Sequence, residues 1–497
     1  MTSSEVEASS PWTRVAFWAG PLVFLVSVAW SRGGPSGELT PEAMRLLGVT
    51  GWMALWWVSE AVPIAATSML PLALFPLFGI SKMSAVAAPY MHPLVILLMA
   101  GFMVALALER WELHRRVALR VLSAVGTSPR RLILGMMIAS AVCSMWISNT
   151  ATTLVMLPIG MALVIRASER EPDRPSDVRA FATALFLGLA YAANVGGLGT
   201  PIGTPPNLVM IGIFEKAFPE APPITFLDWM LMACPLVLIF VPVIWLYLTR
   251  LAHPVADALD MGSKEILSEE RERLGPLDVD ARNTALIFGL VAALWITRAI
   301  KTGDGSVVGW APALGVQAYV NDATVAVLGA LILFAWPSKT RAGERLLDWE
   351  TARSIPWAVI LLFGGGFALA GAFKATGLSA WIAGGLESLA GLPTFLMVAI
   401  IALSVTFLTE VTSNTATTTI LMPILAAFAA GMGIPPELVM VPAVLSASCA
   451  FMLPVATAPN AIVFGTGHIP IKSMARAGFA VNLFGASLIT LWVMLLY

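Results

Sequence analysis

Ser148-Asn149-Thr150-Ala151-Thr152-Thr153 lies at the centre of a stretch that is otherwise apolar from Arg131 to Arg166. A second knot of the same kind, Thr412-Ser413-Asn414-Thr415-Ala416-Thr417-Thr418, sits inside the apolar run from about Pro393 to Met432. Crossing ~30 Å of hydrocarbon takes roughly 17–25 apolar residues, and each run is nearly twice that with a polar middle. Non-helical backbone is too costly against lipid, so such a tip has to be buried in protein or line a wet cavity. The two runs, 131–166 and 393–432, therefore read as re-entrant helical hairpins.

The rest of the chain agrees. Of 497 residues, 58% are hydrophobic and 12% charged, and the mean hydropathy is +0.83. An ordinary soluble domain is about 25% charged, and single aqueous cores stop growing near ~250–300 residues. A soluble enzyme, a nucleic-acid binder and a disordered scaffold are excluded, and a formal net charge of −1 offers no basic surface to a polyanion. Cys143, Cys234 and Cys449 are far apart in apolar runs and read as buried small side chains. His92, His114, His253 and His468 are dispersed, and neither His-Glu-x-x-His nor Gly-x-Ser-x-Gly occurs, so hydrolase chemistry has no support.

The chain is expected to be an all-α polytopic membrane protein. Val15–Trp30 reads as a first span without a cleavage site, and others fall near 43–59, 61–80, 93–109, 181–200, 227–249, 284–300, 323–336, 357–373, 436–453 and 478–496. That makes about eleven spans beside the two hairpins. The first Ser-Asn-Thr recurs 265 residues later, Val95–Phe102 is echoed by Val359–Phe367, and Gly203-Thr204-Pro205-Pro206-Asn207 by Ala456-Thr457-Ala458-Pro459-Asn460. The organisation expected is an N-terminal segment with the first span (1–42), a first repeat (43–250, hairpin 131–166, broken helix 181–216), a cytoplasmic linker (251–283) and a second repeat (284–497, hairpin 393–432, broken helix 436–468). With the N-terminus in the cytoplasm, 22 of the 29 Lys and Arg fall inside and 7 outside. This orientation also sets the two halves in opposite directions, as an inverted repeat requires.

Paired, polar-interrupted segments in two halves point to the binding site of a secondary transporter. Unwound carbonyls with Ser, Thr and Asn oxygens make a neutral cage for Na⁺, while half-helix N-termini turn N–H groups toward an anion. Ser, Thr and Asn within a membrane also serve simply as glue between helices; their recurrence in matched positions favours a site. Glu410 is the one acid within a hairpin, and neighbouring hydroxyls favour a structural or indirect role for it over proton relay. Glu60 is expected at the membrane interface, and Trp56 and Trp57 as interfacial anchors. The Arg-rich stretch 110–131 suits a helix lying in the interface.

Trp56-Trp57-Val58-Ser59-Glu60-Ala61-Val62-Pro63, Ala107-Leu108-Glu109-Arg110-Trp111, the two Ser-Asn-Thr motifs and the two Thr-x-Pro-Asn motifs resemble the divalent anion:sodium symporter family, from about residue 43 onward. The resemblance implies a homodimer of protomers with scaffold and transport domains, in a bacterial inner membrane, moving a di- or tricarboxylate or sulfate with Na⁺ by an elevator shift. It implies one Na⁺ site from Ser144, Ser148, Asn149 and the Gly203 carbonyl, and a second from Thr409, Thr412, Asn414 and the Ala456 carbonyl. Substrate carboxylates would meet Asn149, Thr150, Thr204, Asn414, Thr415 and Thr457. Ala458 departs from the family's usual Pro-Pro-Asn in both breaks, which bears on substrate identity. The leading expectation is Na⁺-coupled uptake of a C4-dicarboxylate such as succinate; a carboxylate exchanger, a sulfate or tricarboxylate symporter and an anion channel are the alternatives.

Overall fold

Helix starts are written locally. Proline occupies the first position of Pro93–Arg110, Pro129–Ser144 and Pro175–Gly196, where its missing N–H has no intrahelical partner to lose. Thr40 caps Pro41–Ser59 through the Ala43 N–H, Asp278 caps Val279–Thr297 through Ala281, and Thr225 with Asp228 forms a capping box on Phe226–Tyr247. The computed structural model describes residues 11–34, 39–303, 305–385 and 391–497; residues 1–10 and 35–38 of the expected N-terminal segment lie outside it.

Among the described residues, nine helices are long and apolar enough to cross a membrane, from Pro11–Ser31 to Ile471–Leu496. Shorter apolar helices lie at Ile64–Leu77, Asp322–Ala335, Thr394–Leu408 and Glu437–Ala447. The protein is a multi-pass helical membrane protein. The stretch expected as one span over 61–80 divides into Ile64–Thr67 and Leu70–Leu77. Pro71 has no N–H to give the Thr67 carbonyl, which ends the first turn. The described residues also include a two-residue antiparallel pairing, Ile300 with Val308 and Lys301 with Val307, and an isolated bridge between Pro337 and Arg345.

Both polar knots are short breaks between two consecutive helices. The first hairpin is Pro129–Ser144 and Asn149–Arg170; the second is Thr394–Leu408 and Asn414–Met432. Each packs on an interrupted helix. Pro175–Gly196 gives way to a 3₁₀ turn at Gly197–Gly199, and helix resumes at Pro205–Ala217. Glu437–Ala447 stops before a 3₁₀ turn at Pro454–Ala456, and helix resumes at Ala458–Phe464. The apolar stretch of Pro175–Gly199 is wholly buried inside the molecule, so this broken helix is its central post. A methyl group on Gly196 would come within 2.4 Å of the Ala141 carbonyl, so glycine here lets the post approach the first hairpin.

The Arg-rich stretch forms Leu113–Val125, whose Ala118, Leu119 and Leu122 are buried and which packs on Pro129–Ser144. The linker carries a helix, Ser263–Leu274, tied to its surroundings by ion pairs such as Arg115–Glu270 and Arg170–Glu265. Trp57 is not an interfacial anchor. It is 1% exposed and donates to the Ser68 hydroxyl at 3.2 Å, because the helix it sits on turns that face toward the core. Cys143 and Cys449 are buried, whereas Cys234 is half-buried.

Candidate functional site

Four helix starts meet one cavity of about 780 Å³. Ser148-Asn149-Thr150 opens the returning arm of the first hairpin, Ser413-Asn414-Thr415 that of the second, and Thr204-Pro205 and Thr457-Ala458 open the resumed halves of the two broken helices; all line the cavity. Three of these helices run 22, 19 and 13 residues, and each brings roughly half a positive elementary charge to its N-terminus. Among the described lining residues there is no lysine or arginine; the charged ones are Glu60 and Glu109. Backbone dipoles and unpaired N–H groups are thus the cavity's positive electrostatics, a setting suited to an anion accompanied by cations.

Behind each tip lies a cradle rich in oxygen and poor in hydrogen. Ser144 donates to Asn149 Oδ1 at 2.6 Å. A methyl group on Gly197 would stand 2.7 Å from that Oδ1 and 3.2 Å from the Gly203 carbonyl, so Asn149, Gly197 and Gly203 converge. In the second half, Thr409 Oγ1 is 2.5 Å from Asn414 Oδ1 and 2.9 Å from the Ala447 carbonyl, three oxygens around one hydrogen. Clusters of neutral oxygens short of donors are what a hard monovalent cation satisfies, and both sets fit Na⁺.

Two residues expected as ligands carry other duties here. The Ser148 hydroxyl caps its helix by accepting from the Ala151 N–H at 3.2 Å. Thr412 is 2.8 Å from the Leu408 carbonyl and 2.6 Å from the Thr417 hydroxyl. Ala456 is buried at the end of its 3₁₀ turn, beside Thr457. Thr150 is exposed to the cavity and Thr204 is buried, its hydroxyl making no cap bond.

The breaks are braced in the same way. Asn207 Nδ2 donates to the carbonyls of Gly197 (3.0 Å) and Thr200 (2.8 Å); Asn460 Nδ2 donates to those of Ala450 and Leu453, both at 3.0 Å. Each asparagine reaches back ten and seven residues, holding open carbonyls that the helix no longer uses. Glu410 is 3% exposed and accepts from the N–H groups of Phe451 (2.7 Å), Met452 (2.9 Å) and Leu453 (3.0 Å) and from Asn482 Nδ2 (2.7 Å). With four donors on its two oxygens it is a buttress of the second break, in keeping with an indirect role.

A model of the sodium:sulfate symporter transmembrane region matches residues 18–497. The chain belongs to that family. Among its relatives, the sodium-dependent dicarboxylate transporter SdcS of Staphylococcus saprophyticus is 39% identical over 477 residues, covering 95% of this chain and 89% of that protein. SdcS of Staphylococcus aureus strain bovine RF122 is 40% identical over the same shares. The solved structure of the YdaH transporter of Alcanivorax borkumensis has the same fold, with a TM-score of 0.54, 15% identity, and 98% of this chain and 99% of that one covered.

For this symporter-family chain, reading the sequence alone overlooked three cavity residues. Glu109 and Asn194 line the cavity, and Glu60, expected at the interface, joins them at the end of Pro41–Ser59 in a left-handed conformation (φ 49°). Asn194 had a legible signal, an amide in the apolar C-terminal part of its helix. Glu109 stands in the Ala107–Trp111 motif, but an acid at the last turn of a span gives no sign by itself that it faces a cavity.

Proposed function

We propose that this protein is a Na⁺-coupled symporter for a dicarboxylate, with a C4 dianion such as succinate as substrate. The observation that carries the reading is the single cavity onto which both Ser-Asn-Thr tips and both Thr-x-Pro-Asn breaks open, with no lysine or arginine among its described lining residues. A dianion there lacks a fixed counter-charge, so bound cations offset its desolvation. The oxygen cradles of Ser144, Asn149 and Gly203, and of Thr409 and Asn414, lie beside the helix N-termini that would face the anion. Thr150, Thr204, Thr415 and Thr457 offer hydroxyls on the cavity side. Ser148, Thr412 and Ala456 complete the ion shells in this reading, Ser148 and Thr412 by sharing their remaining lone pairs. The relatives named sodium-dependent dicarboxylate transporters support the choice of ion and of substrate class.

The cavity also reaches Glu60, Glu109 and Ser354-Ile355-Pro356, chain segments that the charge asymmetry assigns to the cytoplasm. The conformation thus presents the site inward. Hairpins and broken helices form the moving unit of an elevator-type shift, the remaining spans the scaffold, and the protein works as a homodimer. Labelled succinate uptake into proteoliposomes under an inward Na⁺ gradient tests the function. Uptake that is undiminished when choline replaces Na⁺ discards symport, and uptake that requires internal dicarboxylate establishes exchange instead.

A further inference from the structure

Asn194 sits in the wholly buried part of the central helix, is 1% exposed, and borders the cavity. Its Nδ2 donates to Thr457 Oγ1 at 3.1 Å, joining the first repeat to the second. Its Oδ1 is buried without a hydrogen-bond partner. Asn207 and Asn460 likewise leave Oδ1 unpartnered, but their Nδ2 groups brace backbone carbonyls of the breaks. Asn194 makes a single bond, and that bond goes to a residue lining the cavity.

The bond has a chemical consequence. A hydroxyl has one hydrogen and two lone pairs. Thr457 Oγ1 accepts from Asn194 Nδ2 and, as the cap of its helix, from the Asn460 N–H at 3.3 Å. Both lone pairs are engaged, so Thr457 is left to donate its hydrogen toward the cavity. Its counterpart Thr204 has nearly the same backbone (φ −143°, ψ 140° against φ −143°, ψ 152°) but no side-chain cap bond. Its hydroxyl is free to turn. The break recurs at a spacing that sets Asn207 against Asn460, and the same spacing sets Asn194 against Ala447. The second half therefore has no equivalent amide.

We infer that Asn194 is a positioning residue that fixes Thr457 as a one-way hydrogen-bond donor and so makes the two ends of the substrate site unequal. The Thr457 end takes an ionised carboxylate oxygen, which only accepts; the Thr204 end adapts to an acceptor or a donor. This rests on the dicarboxylate reading above and adds to it which end of the substrate must be an oxyanion.

A double-mutant cycle on the full-length protein tests it, with apparent affinity read as thermal stabilisation by succinate at saturating Na⁺. Asn194→Leu alone should raise half-saturating succinate about five- to tenfold, the loss of one oriented hydrogen bond. Thr457→Val should do the same, and adding Asn194→Leu to Thr457→Val should change little further. Stabilisation by Na⁺ alone should be unmoved by Asn194→Leu. Additive losses, or a shift in the Na⁺ response, overturn the inference. Asn194→Ser is the second variant for the same cycle, and if neither Asn194 variant folds, the amide is part of the fold and the inference falls. Sulfate is run in parallel: stabilisation of the unmodified protein by sulfate and not succinate overturns the dicarboxylate reading, while the cycle is then read with sulfate.

Discussion

The two halves hold their breaks open with the same asparagine and anchor them to their hairpins by different means. In the first half the Thr200 hydroxyl donates to the Met145 carbonyl at the hairpin tip. In the second, the hairpin sends Glu410 across to gather three successive backbone N–H groups and Asn482. The residue 265 positions before Glu410 is Met145, so a carboxylate in one half stands where the other offers only its backbone. The hairpin-tip motifs and the bracing asparagines repeat closely; the links from hairpin to break do not. In the proposed reading two like cations need matching cradles, whereas any sufficient set of hydrogen bonds serves as a buttress.

The strongest way to break this comparison is at Glu410. Glu410→Leu leaves four buried or half-buried donors without an acceptor and should cost at least ~3 kcal/mol, since one abandoned buried group costs about 1–3 kcal/mol. Differential scanning fluorimetry in detergent should show the largest fall in melting temperature of any variant named here, with transport lost. A transport defect in a normally stable Glu410→Leu protein would instead make this carboxylate part of the chemistry.

The cradles come next, and here the halves should agree. In the proposed reading, Asn149→Ala and Asn414→Ala each remove a charge-assisted ligand contact worth ~1.5–3 kcal/mol. Each should raise the Na⁺ concentration for half-maximal uptake by roughly ten- to hundredfold, with substrate affinity at fixed Na⁺ falling through linkage. Thr150→Ala and Thr415→Ala should weaken substrate binding first. Na⁺ titrations of uptake that are unaltered in both asparagine variants would remove these residues from the ion sites.

Thr200→Val probes the lighter buttress. It deletes one hydrogen bond and should cost about 1 kcal/mol, a small fraction of the Glu410 effect in the same melting assay. Equal losses at the two positions would mean that the buttresses are equivalent after all.

Ala458→Pro should have the smallest effect, and it restores the symmetry. Thr457, the residue before it, already has the extended backbone that proline requires, as Thr204 has before Pro205. Proline at a helix start is tolerated, so folding stability should hold or rise by about 0.4–1 kcal/mol. Succinate affinity should change by less than about threefold, since one N–H donor is lost from the cavity wall. A tenfold change would show that the Ala458 N–H contacts the substrate.

Much of the architecture was legible beforehand because its signals are local. An apolar run long enough to cross a bilayer with a polar knot in the middle has few solutions, and Ser148-Asn149-Thr150 and Ser413-Asn414-Thr415 each open a helix at the cavity. Proline and glycine near 196–206 broke the central helix there because one lacks a hydrogen-bond donor and the other allows close backbone approach. The 61–80 stretch departs from a single span for the same kind of local reason, because Pro71 has no N–H to continue the first turn.

What only the tertiary structure decided are the relations between residues far apart in the chain. Glu410 could be identified as unusual, yet its four donors lie 41 to 72 residues away, on segments whose approach no periodicity encodes. Trp57 could be placed on a helix, but burying that face depended on the broken segment that follows packing against it. Asn194 meets Thr457 across 263 residues, and Glu109 reaches the cavity only because its helix ends there. Helix starts, breaks and polar knots follow from interactions within about one turn, which sequence order preserves. Which buried donor finds which acceptor depends on how helices cross, and that is set by packing the whole molecule at once.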